Sequence, residues 1–115
     1  MRHDAVYLRH IAECVRRVED NVTGGKVEFL ASHTVQDATL RNLQTMSEAS
    51  QRLSDVAKLA QPEVEWAKIS AFRNILVHNY LGIDLELIWK VIENDLPGLK
   101  RAVEEMLQNI TQSEE

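Results

Sequence analysis

Hydrophobic residues recur along this chain at three- and four-residue intervals, the period of helices laid against a core, without the alternation of a half-buried strand. Tyr7, Ile11, Cys14, Val18 and Val22 make one stripe and predict a first helix from about Asp4 to Val22. Thr23-Gly24-Gly25 stops it, because glycine readily takes the left-handed conformation that ends helices. Thr39, Leu43, Met46, Ser50, Leu53, Ala57 and Ala60 then repeat at the same spacing, widened by Val35, Ala38, Leu40, Ala49 and Val56. They predict one long helix from Ser32 or Thr34 to Leu59, roughly 35–40 Å at 1.5 Å per residue, as the spine of a bundle. Gln61-Pro62 breaks the chain and restarts it, with Glu63 and Glu65 placed in a first turn where the helix dipole favours acid. Trp66, Ile69 and Phe72 lead the apolar face of that next helix, which Gly82 ends. Asp84 is the expected N-cap of another, carrying Leu85, Ile88, Trp89 and Ile92. Asn94-Asp95-Leu96-Pro97 reads as a kink or a stop-and-restart, after which Leu99, Val103, Met106 and Ile110 continue the stripe. The expectation is an all-α, up-and-down bundle of about four to five helices. It forms one domain over residues 1–110, with residues 111–115 as a frayed polar tail.

Composition narrows the class. A chain of 115 residues holds a single core, yet is small enough for a partner surface to matter to its stability. Its 44% hydrophobic and 27% charged residues are ordinary for a globular protein. No apolar run approaches the roughly 20 residues that span a bilayer, and Met1-Arg2-His3-Asp4 has no signal-peptide core, so a cytoplasmic protein without a membrane is expected. The single cysteine, Cys14, permits neither an internal disulfide nor a cysteine zinc cage, which fits a reducing compartment. Charge is uneven: Asp84 to Glu115 holds eight acidic and three basic residues and accounts for the net −5. Any surface for nucleic acid must therefore be local, with Arg9, Arg16, Arg17, Arg41, Arg52 and Arg73 as candidates.

The chemistry concentrates in Ala71 to Ile83, A-F-R-N-I-L-V-H-N-Y-L-G-I. At helical spacing Arg73, Asn74, His78 and Tyr80 share one arc, with Val77 among them, while Ile69, Phe72, Ile75 and Leu76 take the opposite one. By itself such a face is usually a solvated helix surface, with the tyrosine lying amphipathically near the helix end. Two other pairs are weaker. His10 and Cys14 are four apart but have no third ligand at helical spacing, which favours a stripe cysteine beside a surface histidine. His33 and Asp37 fit a solvated first turn better than a site.

R-N-I-L-V-H-N-Y-L-G-I-D-L-E, followed by I-W-K-V-I-E-N-D-L-P-G-L, resembles the HepT-like family of the HEPN superfamily, with its R-x-x-x-x-H-x-Y motif at Arg73, His78 and Tyr80. Asn74 after the arginine, the tyrosine two past the histidine, the G-I-D-L break and the D-L-P turn make the match specific. It also runs upstream through Q-D-A-T-L-R-N-L. Where relatives tend to have glycine before Glu48-Ala49, this chain has Ser47, which bears on helix approach there. The resemblance implies a HEPN-like fold and a C2 homodimer. It further implies an RNA endonuclease acting as the toxin of a HepT/MntA, type VII-like toxin–antitoxin pair. The MntA-like nucleotidyltransferase antitoxin of such a pair attaches AMP to the motif tyrosine, here Tyr80. No cofactor, metal or DNA partner is implied.

Physical chemistry agrees with that implication. Metal-independent RNA cleavage needs a base for the ribose 2′-OH, an acid for the leaving 5′-oxygen and a cation for the phosphorus oxygens. His78 suits either proton role and Arg73 supplies fixed charge in a forked geometry. One protomer carries one such histidine, whereas two related by a dyad bring two histidines and two arginines to one cleft. Asn74, one turn before His78, is placed to orient it or to contact the phosphate. Two other functions fit the same residues: a non-catalytic helical module that binds nucleotide or supports a nucleotidyltransferase, and a purely structural dimerising bundle.

Overall fold

A computed structural model describes residues 2–114, apart from the side chains of residues 2, 80 and 111–114. It is helical throughout, with no strand among the described residues. The helices are α1 (Arg2–Asn21), α2 (Gly25–Ala31), α3 (His33–Gln51), α4 (Asp55–Leu59), α5 (Trp66–His78), α6 (Leu85–Lys90) and α7 (Leu96–Glu114). Helix α1 lies between α3 and α7, and α5 packs on α3. The order across the bundle is thus α5, α3, α1, α7. The core is the meeting of the predicted stripes: Leu8, Ile11, Val15 and Val18 of α1 face Leu43 and Met46 of α3 and Val103 and Met106 of α7. Full burial of each large side chain stabilises by about 1.5–3 kcal/mol, so this seam holds the domain together. The all-α, HEPN-like bundle is the architecture that the periodicity and the resemblance led one to expect.

Two departures have physical causes. Gly25 sits at φ +86, which lets the chain turn sharply after α1 and start α2 at once, an element that the periodicity did not predict. Phe29 of α2 is fully buried and stacks at a tilt on Trp89 of α6, their ring centroids 5.6 Å apart. The predicted spine starts as expected, the Ser32 hydroxyl capping Val35 N–H, but it breaks after Gln51 instead of running to Leu59. Ser54 is responsible: its hydroxyl oxygen accepts from Ala57 N–H and caps α4. The buried Asp4 carboxylate of α1 accepts both from Ser54 N–H, at 2.8 Å, and from Ser54 Oγ–H, at 2.7 Å. The joint gives the buried Asp4 carboxylate two donors that it would otherwise lack.

Helix α5 begins later and ends earlier than predicted. Its start is fixed by Trp66, whose indole N–H donates to the carbonyls of Lys58 and Gln61, so Pro62 and Glu63 lie in a turn before the helix. It ends at His78, with Asn79 N–H donating to Ile75 O, and a single 3₁₀ turn, Tyr80–Gly82, follows. Asp84 caps α6 as expected, its carboxylate accepting from Glu86 and Leu87 N–H. The Asn94–Pro97 irregularity is a π-helical turn, Val91–Asp95, in which Leu96 N–H reaches back five residues to Val91 O. Widening the helix there makes room for the Pro97 ring, which lacks an N–H and would crowd the carbonyl four residues before it.

Candidate active site

Helix α5 carries the candidate residues Arg73, Asn74 and His78. Leu76 is its one side chain fully in the core, with Trp66, Ile69 and Phe72 packed against the core's edge, so the opposite face stays open. Arg73 lies half-buried where α5 meets α3. Its Nη2 is 3.5 Å from Oε2 of Glu48 on α3, and its Nη1 is 3.4 Å from Asn74 Oδ1. The third nitrogen, Nε, is buried without an acceptor.

His78 closes the last turn of α5 and is exposed. It lines an open hollow of about 470 Å³ together with Asn79, Leu81 and Gly82. Leu81 is 99% exposed, the most exposed large apolar side chain of the described residues. Asn74 is one turn from His78 on the same face, close enough by helix geometry for their side chains to meet. Arg73 and Asn74 are thus brought together, and His78 stands beyond them at the helix end. Tyr80 begins the 3₁₀ turn, not the continuing α-helix on which the shared arc was drawn, and its side chain lies outside the described residues.

The other candidates separate cleanly. Arg16 and Arg17 are engaged by Glu13, and Arg16 also by Asp20, along α1. Arg9, Arg41 and Arg52 are exposed. His33 and Asp37 are solvated at the start of α3. Cys14 is buried with its Sγ 3.9 Å from His10 Nε2, and burial pushes its thiol pKa up, which makes it a poor nucleophile. No group of three or more histidine, cysteine or acidic side chains is arranged to hold a metal among the described residues. No helix is long and apolar enough to cross a membrane among them either. Sequence reasoning missed Glu48, since nothing in a separation of 25 residues signals its contact with Arg73. It also missed the exposed Leu81, which periodicity had left inside a longer helix.

Residues 11–106 match the model of a family named Ribonuclease HepT-like. A probable ribonuclease HepT of Thermococcus cleftensis is 33% identical over 101 residues, 87% of this chain and 92% of its own length. A Methanocaldococcus jannaschii protein, named as gamma-glutamylcyclotransferase and candidate RNase, is 32% identical over 113 residues. This chain is matched over 96% of its length there but spans only 50% of that relative. A candidate RNase of Caldanaerobacter subterraneus is 29% identical over 109 residues, 94% of this chain and 97% of its own. No solved structure matches significantly.

Proposed function

Because this chain belongs to the HepT-like ribonuclease family, we propose that it is a metal-independent RNA endonuclease whose active site forms between two copies of α5. Arg73 supplies the cation for the phosphorus oxygens, and His78 of each protomer takes one of the two proton roles. Asn74 orients His78 or contacts the phosphate. The observation that carries this reading is the open end of α5: an exposed imidazole, an arginine five residues before it and a bare Leu81 beside it. A fully exposed leucine beside an open hollow is the kind of apolar anchor that a second copy covers. The dyad gathers the charge that a chain of net −5 otherwise lacks.

The same reading makes the protein the toxin of a toxin–antitoxin pair, neutralised when an MntA-like nucleotidyltransferase attaches AMP to Tyr80. Modification two residues from His78 adds negative charge and bulk where the RNA phosphate must sit. The test is expression without a partner. Growth slows and RNA is degraded with the wild type, whereas His78→Ala lowers cleavage by about 10²–10⁴-fold, the usual worth of a general acid or base, while the protein stays folded. Persistent toxicity of the folded variant contradicts the assignment. Co-expression with the nucleotidyltransferase adds the mass of AMP to Tyr80, and an unmodified Tyr80 in the neutralised protein contradicts the regulatory half.

A second reading rests on Arg73 being engaged by Glu48 within its own chain. It makes the protein a non-catalytic helical module that binds nucleotide or supports a nucleotidyltransferase, and it predicts partner binding with RNA left intact.

A further inference from the structure

The guanidinium of Arg73 has two edges, and the structure treats them differently. Its inner side faces α3, where Glu48 Oε2 stands 3.5 Å from Nη2 and the neighbouring Nε–H is buried with nothing to donate to. Its outer nitrogen, Nη1, turns to Asn74 Oδ1 on the open face of α5. The Nε–H and Nη2–H of an arginine are parallel and spaced to fit the two oxygens of one carboxylate. At 3.5 Å the present contact is long for a hydrogen bond, and only one of the pair is engaged. The Glu48 side chain is 40% exposed, so packing does not lock it away from the second donor. Its backbone cannot drift, because Ser47 and Ala49 on either side are buried in the helix packing.

We propose that Glu48 is a positioning residue for Arg73, gripping the guanidinium by its Nε/Nη2 edge so that the Nη1 side stays aimed at an RNA phosphate. This rests on the reading of Arg73 as the phosphate-binding cation. Glu48 does not touch the substrate. Its carboxylate stands beside the only buried side-chain donor without an acceptor among the described residues, and closing on that Nε–H would fix the guanidinium plane before RNA arrives. Charge building on the phosphate in the transition state then meets a cation already in place, with no reordering of a long, flexible side chain.

The test uses the full chain with ¹⁵N-labelled arginine, and the isosteric Glu48→Gln beside the wild type. In the wild type the Arg73 Nε–H resonance is protected from solvent exchange and shifted by the carboxylate, and in Glu48→Gln both signatures are lost. RNA cleavage by Glu48→Gln falls in kcat by about 10–100-fold with little change in KM, as expected when a catalytic cation is misplaced. In an Arg73→Ala background the same substitution has no further effect on cleavage, because the group it positions is gone. A merely structural role of Glu48 predicts an additive loss there instead, and that result overturns the proposal. So does equal exchange of the Arg73 Nε–H with and without the carboxylate. If the wild type cleaves no RNA but the Glu48-dependent protection is present, the nuclease reading fails and the grip on Arg73 stands. If cleavage is intact and the protection is absent, the reverse holds.

Discussion

Glu13 illustrates how far single residues can be read from spacing alone. Hydrogen bonds from Arg16, then Arg17, hold its carboxyl well below the ordinary carboxylate range, at a pKa of about 2. Both partners lie three or four residues away on one helix, so the contact was legible in the sequence even though the arginines were first considered as RNA ligands. A folded pKa below the unfolded one means that any contribution to stability is present above the ordinary range. It is lost as pH falls from there through about 2. Titration followed by NMR is expected to place the Glu13 midpoint near 2, and Arg16→Ala to move it back toward the 4.5 of an ordinary glutamate. An unmoved midpoint in the variant contradicts the ion-pair account. The Glu48–Arg73 contact is the opposite case. It is made across two helices, and no local pattern encodes which residues of α3 meet which of α5.

At the scale of elements, periodicity found every helix that contributes a long stripe to the core and misjudged the joints. The hydrophobic repeat runs from Val35 to Ala60 with no gap at Arg52-Leu53-Ser54, although α4 buries none of its residues and leaves Val56 and Leu59 exposed. The signal that a helix restarts was there in Ser54-Asp55, a capping serine followed by an acid, but the stripe outweighed it. Helix α2 was missed for a different reason: seven residues are too few to show a period. The Asp4–Ser54 pair makes the joint at α4 a feature with a measurable energy. Asp4→Ala removes an acceptor that takes two hydrogen bonds in a buried setting, and it is expected to destabilise the protein by about 1–3 kcal/mol in urea unfolding. A change within a few tenths of a kcal/mol contradicts the view that this link fixes the break. At the other end of the site, the stop at His78 matters more than any boundary in the core. It places the histidine at the rim of α5 and hands Tyr80 and Leu81 to a separate turn.

For the whole molecule, the row α5, α3, α1, α7 leaves α5 at one side of the bundle, with Asn74, His78 and Leu81 exposed and Arg73 set against α3. The fold class and the family were both legible, the first from period and the second from the Arg73–Tyr80 motif and its flanks. Pairing was expected from the motif's chemistry and the family resemblance, but which surfaces meet was not legible, because self-complementarity belongs to a surface that no single-chain pattern encodes. The central claim is that two such surfaces make one active site, and activity per chain reads this directly. RNA cleavage is measured in EDTA across protein concentrations at which sedimentation gives the dimer fraction, for the wild type and for Leu81→Asp. The account predicts that activity per chain follows the dimer fraction and that Leu81→Asp shifts both curves together to higher concentration. Constant activity per chain down into the monomer range, or a folded dimer that leaves RNA intact, contradicts it.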